Sequence, residues 1–308
     1  MRLFSLLFIC LSFAACTKHT KNKSLVFSKY PNLKIGFSTQ NFQKAMPVNV
    51  ESLSEIIDYA SKEGYDFIEL RDDQASLSQD ECKVLAELAR KNKLDVIYEI
   101  QKNILDTGYY DVFERGLANT LLFTGPGILR ALVSKSEFEL DSTKKGWNKA
   151  EMIQLSSLAD SCARVAKNNK IQFIVENLNE PFFSNSDAYL GLDSFFRNTT
   201  GTGLQFDIGN PFRNSSRENA DPQKVADFLA TMGNRWVTTH LKTLKEGESQ
   251  PRLTSNPLEV DKVIELMAKQ NVRYVTIELL PVTDKKQCFD NHAKSIQFLK
   301  EKGILKTD

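Results

Sequence analysis

Four polar side chains each stand at the end of an apolar run, and their types suit metal-assisted proton transfer. Glu176 closes the run in IQFIVEN (171–177) and Asp207 the run in GLQFDIG (203–209). His240 follows the apolar start of WVTTHLK (236–242), and Glu278 lies in YVTIELL (274–280). A core strand has no use for an unpaired charge. The spacings are 31, 33 and 38 residues (207 − 176, 240 − 207, 278 − 240), each about one strand–helix unit. Four side chains delivered in that rhythm reach one rim of a strand–helix barrel. Two glutamates, an aspartate and a histidine form an oxygen-rich, borderline-hard set suited to one divalent ion: Mn, Mg, Co or Zn. The ion would offset the repulsion among the converging acids. A single strand-end carboxylate is more often a salt-bridged rim residue. Four in step are a site. His240 adds weight because the chain has only three histidines, the others being His19 and His292.

The elements that must position these residues are legible as alternation. Eight apolar runs serve as strand candidates: the four above, with LKIGFST (33–39), YDFIEL (65–70), LDVIYEI (94–100) and TLLFTG (120–125). Amphipathic stretches separate them. Ser52 with Glu55, and Ser78 with Glu81, read as capping boxes. Gly64 and Gly303 read as helix stops. Asp221-Pro222 and Asn256-Pro257 each set a capping residue before a proline at the first helical position. A last helix is expected from Lys285 to Lys302. Strands alternating with helices imply right-handed βαβ units around a parallel sheet. Eight units in this length predict an α/β protein with a single (β/α)8 TIM barrel over residues 31–308. A doubly wound open sheet is the competitor, but no GxGxxG follows the first strand.

The N-terminus has another character. Met1-Arg2, the apolar run LFSLLFICLSFAA and Cys16 read as an export signal over residues 1–16. FAAC resembles a lipobox, with Cys16 as the lipidated residue, and residues 17–30 as a tether. The expected location is lipid-anchored at the cell envelope facing the periplasm. The membrane is then met only through that anchor. A net charge of +1 argues against a nucleic-acid partner. Cys82, Cys162 and Cys288 lie far apart, so neither a disulfide framework nor a zinc cluster is expected.

The ordered set VENL, FDIGN, THLK and TIELL resembles strands five to eight of the xylose isomerase-like superfamily, the sugar phosphate isomerase/epimerase family. GYDFIELR and LLFTGPG resemble its strands two and four. The resemblance implies a barrel with one divalent ion held by Glu176, Asp207, His240 and Glu278. It is nearest to ketose 3-epimerases, in which the first and last glutamates are also acid and base. It therefore implies a small carbohydrate as substrate. Many of those epimerases carry a histidine where this chain has Asn210 and an arginine where it has Glu246. Lyases and hydratases on keto-sugars share the first step, so that chemistry stays open, as does a non-catalytic sugar-binding lipoprotein. A DNA-cleaving three-zinc cluster needs more histidines than this chain places well.

Lys242 falls two residues beyond His240 and thus on the same side of its strand. Lys242, Asn210 and Arg213 are candidate substrate contacts. Glu69 ends strand two, and either faces the pocket or pairs with Arg71. Phe182, Phe183 and Phe212 are either walls against a sugar ring or plain packing.

Overall fold

The computed structural model describes residues 24–133, 146–178, 180–184, 189–213, 220–254 and 258–307. The expected signal, Cys16, residues 17–23 of the tether and the Asn256-Pro257 cap lie outside the described residues. Eight parallel strands close into a barrel. They are β1 (Lys34–Ser38), β2 (Phe67–Arg71), β3 (Asp95–Asn103), β4 (Ile128–Leu132), β5 (Gln172–Glu176), β6 (Gly203–Asp207), β7 (Trp236–Leu241) and β8 (Tyr274–Ile277). The eight α-helices of the described residues are α1 (Val50–Glu63), α2 (Gln79–Lys91), α3 (Tyr109–Thr120), α4 (Lys149–Asn168), α5 (Leu192–Asn198), α6 (Pro222–Met232), α7 (Val260–Lys269) and α8 (Lys285–Glu301). None of the described helices is long and apolar enough to cross a membrane.

Helix ends follow local chemistry. Ser78 and Glu81 cap α2 reciprocally. Asp221 caps α6 with Pro222 as its first residue. Gly64 ends α1 with φ of 85°. The start of α1 corrects the expected cap: Asn49, not Ser52, holds that place, its side chain accepting from the Ser52 N–H at 2.9 Å.

Strand four is also a correction. TLLFTG is not a strand: Thr120 is the last residue of α3, and residues 121–127 turn towards β4. Leu121 is 53% exposed, which no strand of a covered barrel would tolerate. The strand is ILRAL, whose central Arg130 interrupts the apolar pattern.

Two cores result. The larger lies between sheet and helices, and includes Ile68, Leu70, Val96, Leu129, Phe173, Val175, Leu204, Phe206 and Ile277. The smaller fills the barrel interior near the strand starts: Phe67, Ile97, Ile128, Ile174 and Val237. Above it the interior turns polar, with Glu69, Glu99, Arg130, Glu176, Gln205, Asp207 and His240 all buried. Gly36 makes room for the first layer, since a Cβ there would meet the Phe67 carbonyl oxygen and would lie 2.7 Å from its ring.

The barrel closes where β1 pairs with β8, Lys34 opposite Tyr274. Below that seam, Phe27 bridges Leu305, the Ser28 N–H donates to Ile304 O at 2.8 Å and the Lys306 N–H to Val26 O at 2.9 Å. Leu25 and Phe27 are buried, so the last part of the expected tether is packed structure. Cys82, Cys162 and Cys288 are buried free thiols.

Candidate metal centre

Each candidate ligand comes from a strand end. Glu176 and Asp207 are the last residues of β5 and β6, His240 is the penultimate residue of β7, and Glu278 follows β8. Register sets Asp207 beside His240 across the β6–β7 ladder. All four are buried, and one potential ligand atom from each lies within 4.8 Å of the others. His240 Nδ1 is 2.6 Å from Glu278 Oε2, 3.3 Å from Glu176 Oε1 and 3.7 Å from Asp207 Oδ2.

Each ligand is held from behind. Asp207 Oδ1 accepts from the N–H groups of Gly209 (2.7 Å) and Asn210 (2.9 Å), leaving Oδ2 aimed inward. The Asp207 backbone exchanges two hydrogen bonds with the Asn177 side chain. His240 turns Nε2 to Glu69 Oε2 at 2.6 Å, and Glu69 Oε1 accepts from Thr276 Oγ1 and Gln205 Nε2. A carboxylate behind the imidazole fixes its ring orientation and leaves Nδ1 for a cation. Glu176 lies 3.5 Å from an Arg130 nitrogen, and Arg130 also grips Glu99 at 2.9 Å.

The electrostatics favour a divalent ion. Glu69, Glu99, Glu176, Asp207 and Glu278 set five carboxyl groups against Arg130 and Lys242. With His240 neutral the formal balance is 2 − 5 = −3, which a doubly charged ion reduces to −1. Burial disfavours charge on His240, yet Glu69, Glu278 and Glu176 outweigh it and hold the imidazole well above its usual range. The field that draws a proton there draws a metal ion equally. Burial pushes the Glu99 carboxyl up to about 7, against the pull of Arg130. Burial works the same way on Glu278, but Lys242 and His240 overcome it and hold Glu278 well below the carboxylate range. Three inward atoms, Asp207 Oδ2, His240 Nδ1 and Glu278 Oε2, lack an aligned hydrogen bond although buried. His240 Nδ1 meets Glu278 Oε2 at 2.6 Å and Asp207 Oδ2 at 3.7 Å as charge contacts without hydrogen-bond geometry. A cation at their meeting point would satisfy all three, so the residues fit the ion.

The other candidates divide. Lys242 Nζ sits 2.6 Å from Asp207 Oδ2 and 2.5 Å from Glu278 Oε1, inside the cluster. Gly209 makes way for its stem: the backbone there is ordinary right-handed, but a Cβ would come within 3.0 Å of Lys242 Cγ. Asn210 is buried, donating to Asn177 O and facing Glu176 and Lys242. Arg213 follows the short 3-10 turn Asn210–Phe212, and among the described residues no ion pair joins it to the cluster. Glu69 is behind His240, and Arg71 pairs instead with Asp73 at 2.7 Å. Phe182 packs on Phe183, Phe206 and Phe228, which is core work. Arg130 and Glu99 were not anticipated. Glu99 carried the same signal as Glu176, an acid at the end of the apolar run LDVIYE, and Arg130 was hidden by the misplaced strand four.

Fold and site together define a closed (β/α)8 barrel with a candidate divalent-metal centre at the C-terminal ends of β5 to β8. No protein-family model and no curated protein matches the chain. Solved structures do. A D-allulose 3-epimerase from Methylomonas sp. is 12% identical over 90% of this chain and 99% of its own, with a TM-score of 0.62. A sugar phosphate isomerase/epimerase from Parabacteroides distasonis is 12% identical over 87% of this chain and 96% of its own, at 0.64. A xylose isomerase-like TIM barrel protein from Mycobacterium smegmatis, in complex with magnesium, is 16% identical over 87% of this chain and 97% of its own, at 0.56. The likeness is one of fold: the chain shares the barrel of xylose isomerase-like proteins.

Proposed function

We propose that this chain is a divalent-metal-dependent sugar isomerase or epimerase acting by proton transfer next to a carbonyl. The observation that carries the reading is the convergence of Glu176, Asp207, His240 and Glu278 within 4.8 Å at consecutive strand ends. The neighbours in fold include sugar epimerases and isomerases, and the Methylomonas enzyme has been solved with D-allulose.

When bound, the ion would polarise the substrate carbonyl and lower the cost of charge on its oxygen. The chain's own residues do the rest. Glu176 and Glu278 reach the centre from β5 and β8, three strands apart. One takes the proton from the carbon beside the carbonyl and the other returns one. Return to the opposite face inverts that carbon, and return to the neighbouring carbon, with the hydroxyl proton passing to the former carbonyl oxygen, moves the carbonyl. Lys242 and Asn210 donate to substrate oxygens, with Arg213 at the rim. Glu69 acts through His240 and does not touch the sugar.

Elimination on a keto-sugar is the second reading, and one observation favours it. Glu246 stands where many ketose 3-epimerases carry an arginine. It is exposed at the tip of the hairpin that pairs Leu244–Lys245 with Glu248–Ser249. The far end of a ketose would lack that cation here. If residues 1–16 direct export and Cys16 takes a lipid, the sugar is met at the envelope.

Glu278→Gln tests the mechanism. With Mn2+ in deuterated water, the wild type should exchange a carbon-bound proton of at least one keto-sugar, and the variant should lose about 10²–10⁴-fold in rate. Undiminished exchange in the variant removes Glu278 from the mechanism. No exchange by the wild type across a broad panel, despite sugar binding, makes the protein a binder.

A further inference from the structure

A single amide grips the backbone on both sides of Glu278. Asn41, in the 3-10 turn Thr39–Phe42 after β1, accepts from the Leu279 N–H at 2.8 Å and donates to Ile277 O at 2.9 Å. Ile277 C=O belongs to the peptide plane before Glu278, and Leu279 N–H to the plane after it. Peptide planes are rigid, so fixing both fixes φ and ψ at the residue between them. The Glu278 N–H is held as well, donating to Leu241 O at 3.1 Å.

The clamp has its own support. These two bonds dictate which way the Asn41 amide faces: oxygen to Leu279, nitrogen to Ile277. The nitrogen has a second hydrogen, which points to His292 Nε2 at 3.0 Å. Asn41 donates there, so Nε2 is the acceptor and Nδ1 carries the proton, facing the Tyr65 hydroxyl at 3.4 Å. His292 is wholly buried on α8, stacked on Phe42 at 5.1 Å and tilted against Phe37 at 4.6 Å. A phenylalanine would pack in that box without a desolvated nitrogen. What only the imidazole supplies is an acceptor for the last hydrogen of Asn41, which would otherwise be buried unpaired.

We propose that Asn41 and His292 are positioning residues that set Glu278 in place for the cation and the substrate. The proposal rests on the reading of Glu278 given above, and it extends the site to two residues that touch neither metal nor sugar. It also explains why a helix on the outside of the barrel carries a buried histidine.

The test uses the full chain with Asn41→Leu, His292→Phe and His292→Gln. Mn2+ affinity is measured from the free-ion paramagnetic signal, well below the melting temperature of each variant. Exchange of the Leu279 amide is followed alongside. Asn41→Leu should bind Mn2+ about 10–100-fold more weakly, the range for partners that orient a metal ligand. His292→Phe should fall in the same direction, and His292→Gln, which restores an acceptor, should recover part of the loss. Leu279 exchange should quicken in both losing variants. A purely structural role would lower the melting temperature and leave Mn2+ affinity of the folded protein as in the wild type, and that result overturns the proposal. If Asn41→Leu does not fold, the His292 pair decides on the same readouts. A wild type that binds no Mn2+ would instead remove the metal reading. The clamp then stands or falls on Leu279 exchange, unchanged protection in Asn41→Leu overturning it.

Discussion

Lys242 shows how one residue can serve and oppose a metal centre at once. Its ammonium stands within 2.6 Å of two carboxylates that would hold the ion. Like charges a few ångströms apart repel by several kcal/mol even at an effective dielectric near 20. Lys242→Met should therefore bind Mn2+ at least about tenfold more tightly while losing turnover, as titration and the exchange assay would show. Weaker binding in the variant would mean that the ammonium serves mainly to hold Asp207 and Glu278 in place. Gly209→Ala should move the lysine stem and shift affinity in the same direction, because the glycine is there for space and not for its backbone angles.

At the scale of elements, close approach between strands sets the limits. A methyl group at Gly36 would press on both the backbone and the ring of Phe67, and neither can retreat within a closed barrel. Gly36→Ala should cost about 1–3 kcal/mol, the usual price of an overfilled core, read from urea midpoints. The same packing decides which strands are legible in the sequence. β5 to β8 are visible because each is rich in aromatic and branched residues, carries no charge before its ligand, and reaches a polar residue at βα spacing. β4 is not. Its Arg130 is tolerated only because Glu99 and Glu176, distant in sequence, neutralise it inside the barrel. The decoy LLF run is a turn after α3, and its apolar residues are partly exposed. The α1 cap is ambiguous in sequence because Asn49 and Ser52 are both good caps three residues apart, and Glu55 completes a capping-box pattern with Ser52. The ligands were legible as types and spacing. Their supports, Glu69 behind His240 and Asn41 around Glu278, depend on closure of the barrel, which no local pattern records.

Across the whole molecule, buried His292 couples stability to pH. Burial pushes its pKa down to about 3, against an ordinary 6.5. Between those values the unfolded chain takes up a proton that the folded protein refuses, so stability falls as pH drops from about 6.5 towards 3. This one group contributes about 1.4 kcal/mol per pH unit in that window. His292→Phe should lack that part of the slope, and urea unfolding of both proteins at pH 7, 5 and 4 would show it. An equal slope in both would mean that other groups govern acid sensitivity. The seam imposes a further constraint, this time on biosynthesis. Asn41 and its partner Ile277 are 236 positions apart, and β1 has no neighbour on one side until β8 arrives. A chain emerging from the ribosome N-terminus first must keep that edge waiting through nearly the whole of translation. Any transcript cut short before residue 274 would yield a sheet with two unprotected edges, open to pairing with other nascent chains.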